Sequence, residues 1–262
     1  MTEKNETFPS ALQACLLVLG LFMLEVVIEA LLVDAQGSLG LTNAQCWVLV
    51  TLLANGCVFA TVMQIKGLTY RGLFHPAGTS MRRTALAVVP WVLLLVPGLV
   101  LTLMIVGGIV ARAFPMSPGE QAMFNELTGT DLAMVLLSCA IAPVVEEMLF
   151  RGIILRGFLA RYPRAPSIWG AAALFGVAHR NIYQFVAALL VGALSGWLYE
   201  RSRSLVPCIT LHAGFNTALV LLTNLPGDGG LTLTIGGWLG CIVLAGIAVE
   251  MLRRTFAQSE RA

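Results

Sequence analysis

The chain has 262 residues, of which 58% are hydrophobic and only 11% charged. Soluble domains carry roughly 25% charged residues, so this composition belongs to the membrane class. A net charge of +2 without a basic block excludes a nucleic-acid surface, and six scattered cysteines without ligand-like spacing exclude a disulfide or zinc framework.

Crossing the hydrocarbon core takes about 20 apolar residues in a helix. The first such run, 10–33, follows a single lysine and lacks a small-residue cleavage site, so it reads as a retained span. It carries Glu25 and Glu29 four residues apart, a like-charged pair that fits either the site or helix packing, with packing the favoured reading. The next runs are 46–65 and 85–111, the latter kinked or tilted by Pro90 and Pro97. Loop 112–130 suits a short interfacial helix. The remaining spans are 131–155, 167–181, 183–200, 205–223 and 231–252, making about eight transmembrane helices in an all-α polytopic membrane protein. The whole chain, 1–262, is one membrane domain. Gly192/Gly196 and Gly236/Gly240 have the four-residue spacing of close helix packing.

The charges orient these spans. With the N-terminus inside, Lys4, Lys66, Arg71, Arg82, Arg83, Arg156, Arg161, Arg164, Arg201, Arg203, Arg253, Arg254 and Arg261 share the inner side. Only Arg112 and Arg180 fall outside, among Asp34, Glu120, Glu126, Asp131 and Asp228. This positive-inside bias predicts cytoplasmic N- and C-termini in a multi-pass protein of the cell membrane.

Chemistry concentrates in the fourth span. Glu146, Glu147 and Arg151 interrupt an apolar run, and ionisable groups at membrane depth mark functional sites by default. Glu147 and Arg151 stand four apart on one helical face and neutralise each other. Glu146 points about 100° away and lacks that partner. Pro143 is placed to bend the helix beside it. Phe175 and His179 are four apart in the fifth span, His212 and Asn216 four apart in the seventh. His75 reads as a solvated loop residue. The spacings predict one cavity within the bundle, in the inner half of the membrane and reached from the cytoplasmic side.

A carboxylate without a salt-bridge partner in a low-dielectric site can act as a general base. A nearby histidine can share the activated water and protonate a leaving amine. A second histidine with an asparagine amide supplies donors for an oxyanion. Together these describe amide hydrolysis. Glu146, His179 and His212 also make an alternative zinc-ligand set with an open position, although no HExxH spacing fixes a metal site. No cofactor follows from the residues alone.

The Glu146-Glu147-xxx-Arg151, Phe175-xxx-His179 and His212-xxx-Asn216 motifs, in this order, resemble those of the CAAX-protease and bacteriocin-processing (CPBP, or ABI) intramembrane proteases. Phe150-Arg151-Gly152, Gly192 to Glu200 and Leu205-Val206-Pro207 add to the likeness, which covers 131–223 as a catalytic core. The resemblance implies a membrane-embedded endopeptidase related to the Ras-converting CAAX prenyl protease, of glutamic or metallo type. By analogy Glu146 and His179 activate water, His212 and Asn216 stabilise the oxyanion, and Glu147 and Arg151 brace the helix beside Phe175. It implies a peptide or protein substrate, prenylated or not, met in the lipid bilayer. A prokaryotic inner or plasma membrane is the expected location, as nothing in the chain marks it as eukaryotic. The competing reading is a non-catalytic immunity or partner-binding protein of the same family. A transporter is disfavoured, because no paired repeats are evident.

Overall fold

The structure, a computed structural model, describes residues 8–76, 78, 80–225 and 235–259. Lys4, Asp228 and Arg261 of the charge pattern lie outside them. The described residues form helices and connecting turns, without a strand. Helix α1 (Ala11–Leu39) starts on a reciprocal Ser10–Gln13 capping box and ends at Gly40, whose φ of 65° is left-handed. Helix α2 (Asn43–Lys66) repeats the scheme with Thr42 and Gln45 at its start and Gly67 at its end. A short α3 (Tyr70–Phe74) precedes α4 (Met81–Ala113), which accommodates both Pro90 and Pro97 within 33 residues. At 1.5 Å per residue α4 is about 50 Å long, so tilting fits it to a ~30 Å core. The expected interfacial helix is α5 (Pro118–Leu127), opened by Ser117, Pro118 at the first position and Glu120.

Helix α6 (Leu132–Arg161) carries the acidic pair. Two π-helical stretches, Leu137–Ile141 and Met148–Leu155, flank the turn that carries Glu146 and Glu147. Helix α7 (Arg164–Ala178) and α8 (Ile182–Ser202) form a hairpin, followed by α9 (Leu205–Thr223) and α10 (Ile235–Ser259).

Among the described residues seven helices are long and apolar enough to cross a membrane, α7 being the expected span that falls short. Its 15 residues reach about 22 Å, so His179 and Arg180 sit at the end of a helix shorter than a ~30 Å hydrocarbon core. The expected inner-half position of Glu146 also changes. Helix α6 runs to Arg161 rather than 155, which puts Glu146 near its midpoint.

Small residues set the close approaches. A Cβ on Gly192 would lie 3.1 Å from both Ala172 Cβ and Arg151 Nη2, and one on Gly196 would lie 3.0 Å from Ile168. The α7–α8 hairpin therefore packs through this pair as its spacing predicts. The second pair does not: a Cβ added to Gly240 would meet nothing within 4 Å, and Gly236 is exposed. The glycine that brings α4 against α10 is Gly98, whose added Cβ would fall 2.4 Å from Ala245. Leu12, Leu16, Leu19, Met23, Val27 and Leu31 stay exposed along α1, as suits a helix facing lipid.

Candidate active site

Glu147 and Arg151 meet as the four-residue spacing predicts. Arg151 Nη1 donates to Glu147 Oε1 over 3.0 Å, with the side chains 1% and 0% exposed. The same carboxylate oxygen accepts from His212 Nδ1 at 3.1 Å. Glu147 thus ties α6 to α9 as well as bracing its own helix, a contact that helix periodicity within α6 does not reveal. The Arg151 guanidinium lies 4.6 Å over the Phe175 ring, which also meets the rings of His212 at 5.6 Å and His179 at 4.9 Å edge-on. Phe175 is the buried hub against which arginine and both histidines are set.

Glu146 faces the other way. Its side chain is 27% exposed, yet Oε2 is itself buried and has no hydrogen-bond partner among the described residues. His212 Nε2 stands 3.8 Å from it, beyond direct hydrogen-bond range and suited to a bridging water. His179 donates Nδ1–H to the Phe175 carbonyl at 2.8 Å, leaving Nε2 as the open ring nitrogen.

Asn216 donates to the Ser138 carbonyl at 2.7 Å. The reason lies in the proline singled out from sequence. In the π-helical turn Ala142 N–H bonds back to Leu137, and the next donor in that pattern is absent because residue 143 is proline. Pro143 so leaves the Ser138 carbonyl to a neighbouring helix. An amide nitrogen has two hydrogens, and the Ser138 bond uses one.

Glu146, His179, His212, Asn216 and Phe175 all line one cavity of about 290 Å³, with Ser138, Tyr183, Gln184 and Val191 among its other walls. The cavity runs from Glu146 toward Phe124, Leu127 and Thr128 at the α5 end. This corrects the expected approach from the arginine-rich end. On that side Met148 to Leu155 are buried without exception, and Gly152 is packed against Leu73 and Leu205. The far end is held in place where Tyr183 Oη donates to the Phe114 carbonyl and Asn181 to Glu120.

Helix α1 approaches the same region. Arg180, in the left-handed conformation at φ 57°, lays its guanidinium 4.6 Å over Phe22. Glu25 is within electrostatic range of both Arg180 and Glu146. Packing is the sequence-based expectation for both acidic residues of α1, and the structure separates them. Glu29 instead lines a second cavity of about 210 Å³ with Gln36, Trp47 and Glu126.

A metal would need several ligands to converge. Among the described residues no three of His, Cys, Asp and Glu are grouped closely enough to hold one. Glu146, His179 and His212 do not form a ready zinc site in this geometry.

Fold and site define an all-helical polytopic membrane protein with a carboxylate and two histidines around a cavity at membrane depth. Residues 128–218, which hold every one of these site residues, match the family described as type II CAAX prenyl endopeptidase Rce1-like. Through that segment, about a third of its length, the chain is similar to CAAX-protease-like proteins of the CPBP family. It is also 26% identical over 109 residues to the "Putative membrane peptidase YdiL" of Bacillus subtilis, covering 40% of this chain and 43% of that protein. The match therefore spans less than half the length of this curated relative. No solved structure matches the chain.

Proposed function

We propose that the protein is an intramembrane endopeptidase that hydrolyses a peptide bond of a membrane-associated peptide or protein. The observation that carries this reading is Glu146 Oε2, buried without a partner beside two histidines in a cavity large enough for an extended backbone segment. Glu146 is the general base that takes a proton from the attacking water. His179, with Nδ1 committed to a carbonyl, helps orient that water through Nε2. His212 and the second amide hydrogen of Asn216 face the developing oxyanion and the leaving group. The substrate class includes prenylated and unmodified peptides, since the apolar lining accepts either. The charge pattern supports cytoplasmic termini, with the cavity opening toward the opposite half of the bilayer.

The test is cleavage by purified protein reconstituted in lipid. Glu146→Ala is expected to abolish turnover while the melting temperature stays close to that of the wild type. Turnover at the wild-type rate in the folded variant rules out the assigned mechanism. Biological activity retained by Glu146→Gln, without cleavage by either protein, identifies a partner-binding protein instead.

A further inference from the structure

We propose that Glu147 is a positioning residue that holds His212 with its proton on Nδ1, making Nε2 a proton carrier between Glu146 and the leaving amine. This rests on the endopeptidase reading and deepens it. It differs from a fixed oxyanion donor at His212, the role implied by resemblance.

The argument begins with who donates. Glu147 accepts from Arg151 and from His212 on the same oxygen, at 3.0 Å and 3.1 Å. A guanidinium has donors only, so Oε1 is an acceptor toward Arg151, and His212 Nδ1 meets that same accepting oxygen. The hydrogen in the His212–Glu147 contact therefore belongs to Nδ1. His212 is 5% exposed and its ring stands edge-on to Phe175, so it cannot readily turn over to exchange nitrogens. With Nδ1–H fixed, Nε2 is a lone pair in the neutral ring and an N–H in the imidazolium. A permanent donor to an oxyanion would require the imidazolium throughout. A carrier uses both forms.

Nε2 is 3.8 Å from Glu146 Oε2, one water bridge away. The steps then balance. Water loses a proton to Glu146 as its oxygen bonds to the peptide carbonyl carbon. The proton passes from Glu146 to Nε2, giving an imidazolium whose charge is balanced by Glu147. On collapse the C–N bond breaks and Nε2–H protonates the departing amine. Glu146 is again ionised, His212 again neutral, and Nδ1–H has not moved. A carboxylate that sets the tautomer of a catalytic histidine through Nδ1 is a known arrangement on unrelated folds.

The experiment combines nitrogen NMR of isotope-labelled histidine with steady-state kinetics. Only His75, His179 and His212 contribute signals, and single substitutions of His75 and His179 assign them. In wild-type protein at neutral pH, His212 should show a protonated Nδ1. Finding Nδ1 unprotonated, with the proton on Nε2, overturns the proposal without any substrate. In Glu147→Gln, kcat of the folded fraction should fall roughly 10²–10⁴-fold, with KM within about twofold of the wild type. A lowered melting temperature with kcat retained would mean that Glu147 is only a brace, and that result also overturns the proposal. Should Glu147→Gln fail to fold, the wild-type NMR signal still decides. Absence of cleavage by the wild type defeats the endopeptidase reading and the carrier role with it, while the histidine signals report the Glu147 contact independently of turnover.

Discussion

Two pairs of glutamates lie within apolar helices of this protein, and they have different fates. Glu146 and Glu147 are adjacent on helix α6. One is sealed between Arg151 and His212, and the other is left open to a cavity. Glu25 and Glu29 are four apart on α1, whose other face lies along lipid, and among the described residues neither has a hydrogen bond or ion pair. Charge at membrane depth is common to both pairs. What separates them is the set of neighbours, supplied for the first pair by α7 and α9 and for the second by the tip of α7, by α2 and by Glu126 of α5. A costly charge becomes a site when other helices bring convergent groups to it.

The sharpest way to break this comparison is to neutralise all four residues singly. Glu146→Gln should lower kcat about 10²–10⁴-fold, the range of a lost general base, while Glu29→Gln should leave turnover within a few-fold of the wild type. Equal losses in steady-state assays of both variants would erase the distinction. Next in size is the buried ion pair. Arg151→Leu strands the Glu147 charge and should cost about 3–5 kcal/mol of stability. The exposed Arg254–Glu250 pair, 67% and 52% accessible, should lose under about 1 kcal/mol when Arg254 is replaced by alanine. Equilibrium unfolding in mixed detergent measures both.

Packing predicts a smaller contrast. Gly192→Leu forces a side chain between Ala172 and Arg151 and should destabilise by about 1–3 kcal/mol, whereas Gly240→Leu meets open space and should be near neutral. Asn216→Ala leaves the Ser138 carbonyl without its partner and should cost about 1–3 kcal/mol, with faster hydrogen exchange in the Pro143 turn. The weakest effect concerns Glu120 at the α5 end. Hydrogen bonds from Ser117 hold its carboxyl below the ordinary value of 4.5. Its contribution to α5 is therefore present above the unfolded value and is lost as pH falls through the lower, folded one. Amide exchange along α5 should accelerate only in that acidic window.

Much of the site is legible in the chain because its residues repeat at helical spacing. Glu147–Arg151, Phe175–His179 and His212–Asn216 each share a face, and the structure brings all three motifs to Phe175 and the cavity. The His212–Glu147 bond is not legible, since it joins residues 65 apart through the mutual rotation of α6 and α9. Nor is the bond from Asn216 to Ser138, although Pro143 is its visible cause: a missing N–H is readable in sequence, but the helix that answers it is not. Hydropathy also overstates α7, because Ala178 and Val177 continue its apolar character up to a helix end set by the turn at Arg180. The direction of the cavity escapes for a related reason. It depends on Leu73 and Leu205 filling the space around Gly152, which are contacts between distant segments.

The central claim is that Glu146, in the cavity, activates water for peptide hydrolysis. Product analysis by mass spectrometry, after reaction in water labelled with heavy oxygen, tests it most directly. The account predicts one labelled oxygen in the newly formed carboxylate with wild-type protein in lipid, and no product with folded Glu146→Gln. Labelled product formed by that variant at the wild-type rate would contradict it.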